Sequence, residues 1–211
     1  HAALRACHDE ASAAALGRRY AQAFPAAYQQ DVGPALAVQD IADLDSAAAA
    51  AAGRLRLRLP ETATGARAHL RLLRHGEPLA ISDALPILES FGLQVIAERP
   101  YELRLGGSRA WIQDFELEAP GVHAVDLQAL ESQLNVAFTA ILAGELDSDG
   151  FHRLIVSAGL TVAQTRVLRA CCRYLLQTGL PFSQAYMERV LHAHAHIARD
   201  LWRLFERRLD P

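Results

Sequence analysis

Residues Ala68 to Glu118 read AHLRLLRHGEPLAISDALPILESFGLQVIAERPYELRLGGSRAWIQDFELE, and the fold turns on how this stretch is parsed. Leu70, Leu72 and Leu73 form a short apolar run that His75-Gly76-Glu77-Pro78 interrupts. A helix signal follows, and after Gly92 come two β-rich runs joined by Gly106-Gly107-Ser108. The order is β-α-β-β, half of a ferredoxin-like split unit. An N-cap at Asp83 puts Pro86 in the first helical turn, where its missing N–H costs nothing. Leu85, Leu88 and Phe91 then share one face, and Gly92 supplies the left-handed stop. The next strand alternates Leu93, Val95 and Ala97 up to Pro100, and Tyr101, Leu103 and Leu105 continue it to the glycine turn. The return strand alternates Trp111, Gln113, Phe115 and Leu117, so one buried and one wet face are expected.

Upstream, Arg54-Leu55-Arg56-Leu57-Arg58-Leu59 alternates strictly, which predicts a half-buried strand with an arginine face. That face reads either as a solvated sheet surface or as a patch for an anion or acidic partner. Pro60 to Gly65 is a turn and Ala68–Arg74 the return strand, giving β-β-α-β-β. Downstream, a long helix starts at Asp126, with Val125 and Leu130 placed as a hydrophobic staple. Leu127, Leu130, Leu134, Phe138 and Ile141 line one side of it and Gly144 ends it. It is expected to cover the sheet, closing a two-layer α/β sandwich over residues 54–143.

The flanks are helical. In residues 1–53, Leu4, Cys7 or His8, Leu16 and Tyr20 make a loose stripe ended by Phe24-Pro25. After Gly33-Pro34 a second helix carries Leu36, Ile41 and Leu44 into the alanine tract Ala47–Ala52, and Gly53 closes it. From Gly144 to the end the pattern is again all helix. Asp149-Gly150 opens a short one, and Thr161 with Gln164 forms a capping box for the next. Ser183 caps a last helix running to Leu209, with Phe182 and Met187 as its staple. The predicted organisation is therefore a helical segment (1–53), an antiparallel α+β domain (54–143) and an all-helical module (144–211).

Composition narrows the function. With 211 residues the chain has room for one large domain or two small ones. A net charge of −3 argues against nucleic-acid binding. No apolar run is long enough to cross a bilayer and no signal peptide is visible. The start at His1 reads as a piece of a longer chain. Three cysteines, with Cys171 and Cys172 adjacent, do not build a disulfide framework, so a reducing cytoplasm is expected. All 21 basic residues are arginine. Schiff-base chemistry, a P-loop lysine and a lysine general base are thus excluded within these residues. No G-x-G-x-x-G, G-x-S-x-G or Walker pattern occurs, and no catalytic constellation emerges.

Two candidate sites remain. On a continuous helix Glu188, His192 and His196 would stack one turn apart, a spacing used by metal-binding helices, with Asp200 extending the row. A polar helix face accounts for the same residues. The connection His75-Gly76-Glu77-Pro78 lies between strand and helix, where ligand sites are often built. Helix N–H groups near Asp83 could receive the carboxylate of an amino-acid effector, although Asp83 and Glu77 would repel it. Asp147-Ser148-Asp149-Gly150 starts like an EF-hand loop but lacks the later ligands, so a turn and helix cap is expected instead. Cys171 and Cys172, mid-helix, read as packing residues.

Several strings resemble the large bacterial NAD-specific glutamate dehydrogenase family, in the portion before its catalytic domain. They are Gly76-Glu77-Pro78, Ser82 to Glu89, Phe91-Gly92-Leu93, Glu98 to Tyr101 and Trp111 to Phe115. The resemblance strengthens at Asp149-Gly150-Phe151, Ala158-Gly159-Leu160 and Gln177 to Gln184, and spans about Arg18 to Glu206. It implies an ACT-like (ferredoxin-like) domain followed by a helical linking region. The full enzyme would oxidise L-glutamate to 2-oxoglutarate and ammonia with NAD, using catalytic residues beyond Pro211. No catalytic or cofactor-binding residue carries over, so this stretch is expected to be inactive by itself. Cys171-Cys172 departs from the family's usual aromatic and small pair. The implied role is assembly, with other domains of the same polypeptide and a homo-oligomer as partners. Binding of an amino-acid effector is the alternative.

Overall fold

The alternating and helical patterns appear in the expected order in the computed structural model, which describes residues 10–20, 22–47, 53–58, 67–118 and 126–209. Strands β1 (Arg54–Arg58), β2 (Arg67–His75), β3 (Gln94–Leu105) and β4 (Ser108–Glu118) form one antiparallel sheet in the order β1-β2-β4-β3. Helices α1 (Glu10–Tyr20), α2 (Ala26–Asp31) and α3 (Pro34–Ala47) precede it, α4 (Ile81–Ser90) joins β2 to β3, and α5 (Leu127–Leu142) follows β4. A 3-10 turn at Gly150–His152 leads into α6 (Arg153–Ala158), α7 (Val162–Gln177), α8 (Gln184–Ala193) and α9 (Ala195–Leu209). The architecture is α+β, an ACT-like sheet unit flanked by helices.

Local chemistry explains most boundaries. Pro34 takes the first position of α3, where no N–H is needed. Asp126 caps α5 by accepting from the N–H groups of Gln128 and Ala129. Thr161 and Gln164 form the full capping box of α7, and Ser183 caps α8 through the Tyr186 N–H. Pro100 sits in β3, an outer strand, the place in a sheet where a missing donor does least harm. The predicted turn at 60–65, the alanines at 48–52, the stripe positions Leu4, Cys7 and His8, and the staple residue Val125 lie outside the described residues.

Packing divides the chain into two compact units. The first draws on residues 1–56, 69–80 and 97–116, the second on 57–68, 81–96 and 117–211. In the first, Tyr28, Val32, Val38, Ile41 and Leu44 of the N-terminal helices share a core with Leu73, Leu103, Leu105 and Ile112 of the sheet. In the second, Phe151, Leu154, Ala158, Leu160, Leu168, Leu191 and Ala198 form the core of the helical bundle. Here α6 is the hub, touching α5, α7, α8 and α9.

Three expectations need correction. The wet sheet face is absent from the two inner strands: residues 70–73 of β2 and 112–115 of β4 are buried in succession. The N-terminal helices supply the cover that the sequence pattern left unassigned. Helix α4 begins at Ile81 rather than after Asp83, so Pro86 is its sixth residue. Pro86 is exposed, and Ser82, whose carbonyl it leaves without a donor, faces water too; solvent can satisfy it. Ile87 is buried with Leu88 and Phe91, while Leu85 is half-buried. The last helix is broken at His194, whose φ and ψ of −120° and 55° end α8 and whose carbonyl starts α9. Leu191 before the break and Ala198 after it both reach the bundle core. Beside the Ser183 cap, Phe182 stacks on Tyr186 with ring centroids 5.2 Å apart.

Candidate functional site

Each unit buries a cluster of charge, and both clusters include an aspartate, an arginine and a histidine. In the first unit, α3 places Asp40, Asp43, Leu44 and Ala47 on one buried side at helical spacing. Two acids thus occupy an apolar stripe, which is costly unless they are paired. Arg71 of β2 does the pairing. Its Nη1 donates to Asp40 Oδ2 at 2.6 Å and its Nε to Asp114 Oδ2 of β4 at 2.9 Å. Tyr28 Oη donates to the same Asp40 oxygen at 2.6 Å. His69 Nδ1 lies 2.9 Å from Asp114 Oδ1.

The electrostatics follow from these contacts. The hydrogen bond to Asp114, aided by its charge, raises the His69 pKa against the opposing effect of burial. Burial alone would raise the Asp114 pKa, but the His69 hydrogen bond and the Arg71 charge outweigh it and hold the carboxyl below its ordinary value. Burial and the Asp31 hydrogen bond push the Tyr101 phenol up to about 12. The arginine face of β1 is absorbed as well. Arg56 forks onto the buried Asp43, and Arg54 approaches the same carboxylate at 3.4 Å. The acidic partner of these two arginines is therefore helix α3 of the same chain.

The second cluster centres on Asp149, one residue before the helical unit's first turn. Its carboxylate accepts from the Phe151 N–H at 3.2 Å, capping the 3-10 turn. It also accepts from Arg169 Nε and Nη2 at 2.7 and 2.8 Å. That two-pronged geometry is the strong form of an arginine–carboxylate contact. Arg169 Nη2 donates in turn to His152 Nε2 at 3.1 Å, which fixes the proton on Nδ1 of a neutral ring. His152 is fully buried, and burial together with the Arg169 charge pushes its pKa down to about 4. Its Nδ1 finds no hydrogen-bond partner among the described residues. Gln184 links Asp149 to Glu188, and Glu188 presses on Gly150 so closely that a Cβ there would lie 2.5 Å from its carboxylate.

The residues singled out from the sequence fall as follows. His75 Nε2 lies 2.8 Å from the Leu44 carbonyl. Gly76 adopts a left-handed φ of 83° and donates its N–H to the Arg109 carbonyl. Glu77 pairs with Arg109 at 2.7 Å on the surface. These three belong to the first unit, and Asp83, in the first turn of α4, belongs to the second. Glu188 and His192 lie on α8 and His196 on α9, so the continuous helix required for stacking them is interrupted. Glu188 is engaged by Gln184, and His192 Nδ1 lies 3.3 Å from Ser157 Oγ. No group of three His, Cys, Asp or Glu side chains suited to a metal ion occurs among the described residues. Asp149 caps the 3-10 turn through the Phe151 N–H, as the turn-and-cap reading expects. Cys172 packs against the bundle core, where burial and then neighbouring Cys171 push its thiol up to about 11.

Comparison with known proteins follows the same divisions. The family model for glutamate dehydrogenase helical motif 2 matches residues 3–47, that for the ACT3 domain residues 53–130, and that for helical motif 3 residues 146–211. The chain is 41% identical over 205 residues to the NAD-specific glutamate dehydrogenase of Halomonas elongata, covering 96% of this chain and 12% of the relative. The chain belongs to the NAD-specific glutamate dehydrogenase family. It is also 38% identical to the Pseudomonas aeruginosa enzyme of that name (90% of this chain) and 36% identical to the Mycobacterium tuberculosis one (91%). In each case it spans 12% of the relative's length. On this map Asp40 belongs to helical motif 2 while Arg71 and Asp114 belong to ACT3, so the first cluster joins two family segments. The second cluster lies wholly within helical motif 3.

These residues do not fit NAD itself. A dinucleotide fold offers parallel strands and a glycine-rich turn onto a helix N-terminus. Here the sheet is antiparallel, and the β2–α4 connection offers one glycine followed by Glu77, whose charge opposes a pyrophosphate.

Proposed function

We propose that this chain is a non-catalytic assembly segment of a polypeptide that oxidatively deaminates L-glutamate to 2-oxoglutarate and ammonia with NAD. Its work is positional: it holds helical motif 2, ACT3 and helical motif 3 in fixed relation to other domains of the same polypeptide and to its other copies. The observation that carries this reading is Arg71, buried and shared between Asp40 of one family segment and Asp114 of the next. Such an arrangement fixes the register of a helix on a sheet, and both carboxylates hold the arginine within the interior. Chemistry and dinucleotide binding are left to residues outside this chain. The free thiols of Cys171 and Cys172 support a reducing cytoplasm as the setting.

The test uses the full-length polypeptide carrying Arg71→Leu. The variant is expected to yield less assembled enzyme, while the assembled fraction keeps the KM for glutamate and NAD of the unmodified protein. A changed KM with assembly intact would place these residues in a substrate site and overturn the reading.

A further inference from the structure

Helix α9 carries two adjacent apolar rows. Ala198 and Trp202 turn towards the bundle, Ala198 being fully buried and Trp202 packed on the core, and the half-buried Phe205 stacks on Trp202. Ile197, Leu201 and Leu204 form a second row at the same helical spacing, and they are 44, 42 and 62% exposed. The apolar face of this helix is thus wider than the face its own unit covers. Ordinary surface helices confine apolar residues to the covered side, and an open row of this kind marks a contact surface. The helix is basic overall, with Arg199, Arg203, Arg207 and Arg208 against Asp200 and Glu206, and Arg207 and Arg208 border the row at its C-terminal end.

We propose that the Ile197–Leu201–Leu204 row is the docking site for an amphipathic helix from another part of the same polypeptide, one whose apolar stripe is flanked by acidic residues. The inference rests on the assembly reading above and names the partner of that assembly. Two observations select this occupant. The chain spans 12% of its relatives' length, so most of each family polypeptide is tethered to this segment at high effective concentration. The basic excess of α9 favours an acidic flank over a second copy of the same basic helix.

The experiment measures maleimide labelling rates of Leu204→Cys and Arg199→Cys, each read on its own proteolytic peptide. Arg199 is exposed on the opposite side of α9 and serves as the reference. In the 211-residue chain the two sites should label at similar rates. In the full-length polypeptide Leu204→Cys should label about tenfold more slowly than Arg199→Cys, and the protection should survive a hundredfold dilution. Equal rates in the full-length polypeptide would overturn the proposal. Protection lost on dilution, or already present and concentration-dependent in the 211-residue chain, would overturn it in favour of copy-to-copy contact. Equal rates in a polypeptide that Arg71→Leu still disassembles would remove this surface and leave the assembly reading standing.

Discussion

The two units join the same three residue types and set the histidine's charge in opposite directions. In the first, His69 touches the carboxylate of Asp114 while Arg71 sits on that acid's other oxygen, so the ring is favoured in its protonated form. In the second, His152 touches the guanidinium of Arg169 while the acid is spent on Arg169 and a helix cap, so the ring is held neutral. For His152 burial is the larger cause and the Arg169 charge adds to it, whereas for His69 the Asp114 hydrogen bond outweighs burial. The lesson is that the composition of a cluster does not fix its electrostatics; depth of burial and the histidine's own partner do.

The largest expected effect breaks the first cluster. Arg71→Leu strands Asp40 and Asp114 in the interior and should cost about 3–5 kcal/mol, read by denaturant unfolding of the chain. Replacing Arg71, Asp40 and Asp114 together by apolar residues of similar size should restore much of that loss, because no uncompensated charge then remains. In the second cluster, Asp149→Ala removes a cap and the arginine's partner at once, and should cost about 3 kcal/mol.

Acid should separate the units. A depressed histidine pKa stabilises the fold above the unfolded value of 6.5, and that contribution is lost as pH falls through about 4. For His152 the loss is on the order of 3 kcal/mol, and the lowered pKa of His192 acts in the same direction. A raised pKa works the other way. The contribution of His69 is fully present below 6.5 and is lost as pH rises through its folded value. Each unit holds one tryptophan, Trp111 in the first and Trp202 in the second. Followed through Trp111→Phe and Trp202→Phe proteins, stability against denaturant should fall from pH 7 to pH 5 for the Trp202 reporter and hold or rise for the Trp111 reporter. Parallel behaviour would erase the contrast. The smallest effect is Gly150→Ala, where the far end of Glu188 must swing aside, at about 1 kcal/mol.

Much of this was legible in the residues. Alternation located three strands and a short apolar run the fourth, and side-chain caps at Asp126, Thr161 and Ser183 placed three helix starts. The clusters were not legible, because Arg71 and Asp114 read as ordinary members of alternating strands, and a charge on the second face of a strand looks solvated until a helix covers it. One signal was available. Asp40 and Asp43 share a helical face with Leu44 and Ala47, and acids inside an apolar stripe call for a buried cation. The break at His194 left no such trace, since the sequence on both sides favours helix. Pro86 misled, because Asp83 offered a cap that the chain did not use.

The most direct test of the assembly reading is a thermal-shift titration of this chain with amino acids, 2-oxoglutarate and NAD. A ligand at a hundred times its dissociation constant adds about 2.7 kcal/mol, several degrees for a chain of this size. The account predicts no shift with any of them. A shift with one amino acid, abolished by Glu77→Ala or Asp83→Ala, would contradict it and make the segment an effector-binding module.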